Sequence, residues 1–158
     1  MKIELIKLKF NDTCVYKYKP FKYCCDEIQS DKAIVFTGED LVHSDDCWDD
    51  ERYIPRFCTS YTEVIMSYED EWEQTDNYPI QFCPHCGEKI KISVVDEIDV
   101  SDKYNELSKQ REDLWKKCQK TDSKKESELR EQVRKLDKQI DSFYWLDEWK
   151  GEYYYGSI

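Results

Sequence analysis

Ile80-Gln-Phe-Cys83-Pro-His-Cys86-Gly-Glu-Lys-Ile90-Lys-Ile-Ser-Val-Val95 sets a Cys-x-x-Cys-Gly turn between two apolar arms. Such a turn puts two thiolates on one side of a tight loop, where backbone amides can point at sulfur and the glycine accepts a left-handed conformation. Pro84 stiffens the loop. Ile80 to Phe82 before the turn, and the period-two run Ile90, Ile92, Val94 after it, predict a β-hairpin with this knuckle at its tip. That is a zinc-ribbon arrangement.

A closed tetrahedral site needs two more ligands. Phe21-Lys-Tyr-Cys24-Cys25-Asp26-Glu27-Ile28 supplies two adjacent thiols, so the expected set for one structural Zn2+ is Cys24, Cys25, Cys83 and Cys86. Adjacent residues of a regular strand project to opposite faces. Both thiols can therefore reach one ion only if the chain turns there; otherwise Cys58 replaces one of them.

Working outward, short alternating or β-branched runs at Ile3 to Phe10, Thr13 to Tyr18, Ala33 to Thr37, Tyr61 to Met66 and Lys89 to Val95 predict strands. The period changes at Ser101. Tyr104, Leu107, Arg111, Leu114 and Cys118 recur at three- and four-residue steps, widened by Trp115, and predict one helix. After a break at Lys120-Thr-Asp122, Ser123-Lys-Lys-Glu126 reads as a capping box opening a second helix. Its stripe is Leu129, Val133, Leu136, Ile140 and Phe143. The short break favours antiparallel packing. The expected fold is thus α+β: a β-rich zinc-ribbon-like module over 1–98, an antiparallel, coiled-coil-like α-helical hairpin over 99–148, and an aromatic C-terminal tail over 149–158.

The 158 residues carry a net charge of −11, distributed unevenly. Residues 1–22 hold six Lys against Glu4 and Asp12; residues 23–98 hold five basic against nineteen acidic side chains; residues 99–158 hold thirteen against fourteen. Phosphate binding draws on clustered cations, so this balance disfavours direct nucleic-acid binding. A basic patch of Lys2, Lys7, Lys9, Lys17, Lys19 and Lys22 is offset by the acidity that follows. The first ten residues interleave charges with apolar side chains and predict neither a secretory signal nor a membrane span. A cytoplasmic setting follows as the expectation, and there eight cysteines read as reduced thiols and metal ligands rather than disulfides.

Over residues 21–90 the pattern resembles small uncharacterised zinc-ribbon proteins of bacteria and bacteriophages, which pair an early Cys-Cys with a later Phe/Tyr-Cys-Pro-x-Cys-Gly-x-Lys-Ile. The matching residues are Cys24-Cys25 and Phe82 to Ile90. The resemblance implies metal binding and leaves activity undefined. If the chain is phage-encoded, it implies a place in the host cytoplasm.

Enzyme chemistry finds little footing. Cys-Pro-His-Cys also occurs in thioredoxin-fold oxidants, where the first thiolate sits at a helix N-terminus; here a strand pattern follows Cys86. A zinc deaminase needs His-x-Glu and Pro-Cys-x-x-Cys, whereas the chain offers His43-Ser44-Asp45, with Phe82 before Cys83. His43 and His85 are the two histidines. The four glycines, at 38, 87, 151 and 156, match no phosphate-loop or dinucleotide spacing. The remaining catalytic reading is a small metal-dependent hydrolase using Asp45, Asp46, Asp49 or Asp50 as ligands.

Two acidic, aromatic-bearing tracts stand apart: Glu39 to Glu51 with Trp48, and Glu69 to Tyr78 with Trp72. Carboxylates steer toward a basic partner, and exposed Trp or Tyr supplies rigid contact area. Read as loops, these tracts predict a binding face for a basic protein surface through Trp48, Asp49, Asp50, Glu69, Glu71, Trp72 and Tyr78. Trp115 and Trp145 add a second face on the helical hairpin, which could also join two copies of the chain. The leading expectation is a non-enzymatic, zinc-stabilised interaction protein, such as a phage inhibitor of a host defence protein. The related alternative is a DNA mimic whose carboxylates occupy the basic groove of a nucleic-acid-binding protein.

Overall fold

The computed structural model describes residues 1–38, 54–66, 68, 71–120 and 123–150. The strands are β1 (Lys2–Phe10), β2 (Thr13–Tyr18), β3 (Ile34–Thr37), β4 (Arg56–Met66), β5 (Glu71–Pro79) and β6 (Lys91–Asp99). The helices are α1 (Asp26–Ser30), α2 (Ser101–Cys118) and α3 (Ser123–Ser142). The fold is α+β, with two three-stranded sheets, ordered β2-β1-β6 and β3-β4-β5, followed by two packed helices.

The chain separates into two compact units: Met1–Leu5 with Tyr18–Val95, and Ile6–Lys17 with Asp96–Ile158. The division of β1 coincides with a change of phase in its buried positions, which run Ile3, Leu5 and then Ile6, Leu8, Phe10. In a strand, such a one-residue slip shifts the buried set from odd to even positions.

In the first unit, β3 and β4 pair antiparallel from Ile34↔Thr59 to Thr37↔Arg56, and β4 and β5 from Cys58↔Pro79 to Met66↔Glu71. Phe57 is buried and meets Phe36 at a ring-centroid distance of 5.0 Å, while Phe21 packs edge-on against both Tyr18 and Phe57. This aromatic group is the unit's apolar anchor. β5 corrects the loop reading of the second acidic tract. Trp72 and Tyr78 are an even number of residues apart, as one face of a strand requires, but interspersed acids hid it; the ladder offered by β4 outweighs their low propensity.

In the second unit, Ile6, Leu8 and Phe10 form a core with Val100, Leu107 and Phe143, flanked by Val15, Ile98, Tyr104, Leu136, Ile140 and Trp149. α2 begins after Asp99, whose carboxylate accepts the Ser101 N–H at 2.9 Å. The helices run antiparallel: the Tyr104 and Tyr144 hydroxyls meet at 3.0 Å, and seven residues further along α2, Arg111 Nε donates to Asp137, seven residues earlier. One partner's number rises by a heptad as the other's falls by one, as antiparallel packing requires. α3 starts at Ser123 as its capping pattern predicts, and Glu126 accepts from Arg130 one turn on. Phe143 and its neighbours then leave helical geometry, so the hairpin closes at Ser142 rather than near 148.

Lys17 is 1 % exposed in this unit. Its ammonium donates to Ser142 O at 2.8 Å, Trp145 O at 2.6 Å and Asp147 Oδ1 at 2.6 Å. A buried cation is tolerated only when so paired. Here it ties β2 to the chain leaving α3.

Candidate metal centre

The knuckle is built by its own backbone. Gly87 N–H donates to Cys83 O at 2.9 Å, and Cys83 N–H to Glu88 O at 2.9 Å. Gly87 has φ +75, which closes the turn in the left-handed region that non-glycine residues resist. Phe82 and Lys89 form one antiparallel bridge, and Ile90 N–H reaches Gln81 O at 2.9 Å. The predicted hairpin ends there. Ile80 N–H goes to Phe57 O and Lys91 N–H to Met1 O, so its arms enter the ladders of different sheets.

The early pair is delivered by a change of secondary structure. Cys24 lies in a bend and Cys25 is the residue that caps α1, with φ −156 and ψ 163, before the chain turns helical at Asp26. Extended backbone followed at once by a helix removes the strand geometry that would have separated two neighbouring thiols. The required turn is present, and both sulfurs face the knuckle.

The Sγ atoms of Cys24, Cys25, Cys83 and Cys86 all lie within 4.8 Å of one another, with Cys25 and Cys83 at 3.6 Å. Four sulfurs about 2.3 Å from a common centre stand about 3.8 Å apart at the corners of a tetrahedron. The cluster matches that scale, so the four residues can hold one metal ion. Cys83 is buried, Cys24 and Cys25 are half-buried and Cys86 is exposed. Cys58, the substitute ligand, is outside the cluster: it is buried at the Val35 and Pro79 register positions, with its sulfur 3.7 Å from Arg56 O.

The protonation pattern suits cation capture. Burial opposes a Cys83 thiolate, but the backbone N–H groups of Cys86 and His85 and the Cys86 and Cys24 thiols bring it down to about 6. Burial and thiol hydrogen bonds to Cys86 and Cys83 push Cys24 up to about 12. At Cys25 the Ile28 N–H favours the thiolate from outside capping-bond geometry; burial and bonds to Cys83, Cys86 and Glu27 outweigh it and raise the thiol to about 11. One sulfur thus holds negative charge while neighbours retain protons that a metal ion would displace. His85 Nε2 lies 3.1 Å from Asp31 Oδ2, linking the knuckle to the end of α1.

The other expected site residues divide cleanly. Trp48, Asp49, Asp50 and Glu69, together with His43 and the Asp45–Asp50 tract, lie outside the described residues. Glu71, Trp72 and Tyr78 share β5 and are exposed, Trp72 by 47 % and Tyr78 by 58 %. Tyr61 on β4, equally exposed and opposite Asp76, joins them; it was not among the expected site residues, although it opens the expected strand run Tyr61 to Met66. Trp115 and Trp145 are exposed in the other unit. Of the basic patch, Lys17 is buried, while Lys2 and Lys19 pair with Glu4 and Lys9 pairs with Glu97. No described helix is long and apolar enough to cross a membrane. Comparison of the chain with family models, curated proteins and solved structures found no match.

Proposed function

We propose that this chain is a zinc-stabilised protein-interaction protein, in which a four-thiolate Zn2+ site fixes the scaffold and the acidic, aromatic β4–β5 ribbon engages a basic surface on another protein. The observation that carries the reading is the exposure of Tyr61, Trp72 and Tyr78 on a ribbon bearing Glu63, Glu71, Glu73 and Asp76. Large aromatic side chains exposed together among carboxylates are the composition of binding hot spots with an electrostatic guide. Residues 57–88 contain seven acidic side chains and no Lys or Arg, which selects a basic partner.

Zinc is the proposed ion because a closed set of four thiolates at tetrahedral spacing is its structural habit, and such a site contributes folding energy rather than catalysis. No constellation among the described residues supplies a nucleophile with its base, so the role assigned is recognition. Trp115 on the helical hairpin offers a second contact surface.

Affinity capture from the native cell tests the reading, with the intact protein as bait beside a Tyr61→Ser/Trp72→Ala/Tyr78→Ser variant of unchanged metal content and circular dichroism. Wild type should retain a specific protein that the variant loses. Retention of nothing specific, or equal retention by both baits, overturns the proposal. Metal analysis should return one zinc per chain.

A further inference from the structure

The free side of β5 has the geometry of an unfilled strand position. Ile80 N–H donates to Phe57 O, which fixes the phase of the β4–β5 ladder. Pairs Thr59/Tyr78, Tyr61/Asp76, Glu63/Gln74 and Ile65/Trp72 then turn their N–H and C=O groups toward each other. Ser60, of the intervening set, donates outward to Ala33 O at 2.7 Å, in keeping with that phase. By the same alternation Glu71, Glu73, Thr75 and Asn77 direct their backbone groups away from β4. β5 ends its sheet, so among the described residues nothing pairs with them.

Exposed edges invite strand addition unless charge or shape prevents it. Here the charge is of one sign. Glu71 and Glu73 lie on one face of β5 about 6.7 Å apart, the repeat of alternate side chains in any strand laid alongside. Trp72 and Tyr78 occupy the other face.

We infer that β5 accepts an extended peptide segment of the partner as a fourth strand, with Lys or Arg on the face of Glu71 and Glu73 and apolar residues against Trp72 and Tyr78. Main-chain bonds supply affinity in this mode and alternate side chains supply specificity. A second copy is disfavoured because its own β5 would set Glu against Glu, and nucleic acid is repelled by the same carboxylates. The inference rests on the interaction reading and adds the class of partner.

The test measures binding of a fluorescent nine-residue peptide, alternating Lys with Val or Thr, to the full-length, metal-loaded protein at low salt. Thr75→Pro removes an outward N–H and leaves the ladder to β4, as proline on an edge strand can; Glu71→Lys/Glu73→Lys reverses the charge. Each should weaken binding at least tenfold, and the charge reversal should also abolish most of the salt dependence. If Thr75→Pro alters the circular dichroism, the charge reversal decides. Undiminished binding to a folded Thr75→Pro protein overturns strand addition, as does binding of a labelled single-stranded oligonucleotide by the protein alone, or loss of the peptide on self-association of the chain. If the peptide fails to bind while the native partner is still captured through Trp72 and Tyr78, strand addition falls and the interaction reading stands.

Discussion

Replacing Lys17 by Met isolates what the buried ammonium contributes. Methionine keeps most of the aliphatic stem and fills irregular space, so the change is chiefly electrical. Three acceptors lose a donor: Ser142 O, Trp145 O and Asp147 Oδ1. Asp147 is 48 % exposed and rehydrates, so its loss costs little. Ser142 is buried, but its carbonyl keeps the Trp145 N–H at 3.4 Å, so losing the charged donor there costs about 1–2 kcal/mol. The Trp145 carbonyl, on a half-exposed residue, adds about 1 kcal/mol. Removing the ammonium also removes its own desolvation penalty, which acts in the opposite direction. The expected net destabilisation is about 1–3 kcal/mol. For a chain of this size that lowers Tm by roughly 2–4 °C per kcal/mol, or about 2–12 °C in all. Thermal and urea unfolding followed by tryptophan fluorescence would measure it. Stability equal to wild type within about 0.5 kcal/mol would refute the idea that Lys17 secures the end of α3.

Serine at Cys24, Cys25, Cys83 or Cys86 should each lower bound metal well below one ion per chain, whereas Cys58→Ser should leave stoichiometry intact; inductively coupled plasma mass spectrometry distinguishes the two. Loading the metal-free protein with Zn2+ at pH 7 should release at least two protons, from Cys24 near 12 and Cys25 near 11, while Cys83 near 6 is already mostly ionised; titration calorimetry in buffers of different ionisation enthalpy counts them. Because metal occupancy requires thiolates, it should fall with pH and do so more steeply below about 6, where Cys83 also takes up a proton. Gly87→Ala should cost about 1–2 kcal/mol from the φ of +75 alone, since no atom lies within 4 Å of the added methyl group; a neutral effect on denaturation would contradict the positive-φ turn.

Much of the architecture was legible because local patterns and tertiary demands agree. The heptad-like stripes through Leu107 and Val133 located both helices, and all five expected strand runs are strands, Thr13 to Tyr18 with its ends unchanged and the other four with changed ends. The remaining strand, β5, was hidden because Glu71, Glu73 and Asp76 lower strand propensity over a segment whose pairing comes from β4, a contact the local sequence does not encode. α1 was missed for a related reason: five residues carry too little periodicity to announce a helix. At the candidate site, the knuckle was readable from Cys83 to Gly87. Whether Cys24 and Cys25 could serve together depended on a backbone turn that residue types leave open.

The sequence by itself determined which side chains could ligate a metal, where the period changes from two to three-and-a-half, and that the middle of the chain is strongly acidic. These follow from residue chemistry and spacing along one dimension. Tertiary structure alone decided that four sulfurs converge within 4.8 Å while Cys58 stays apart, that the knuckle's arms enter different sheets, and that Lys17 is buried. Those outcomes depend on which distant segments meet, and burial, pairing and charge neutralisation are properties of that meeting rather than of any single stretch.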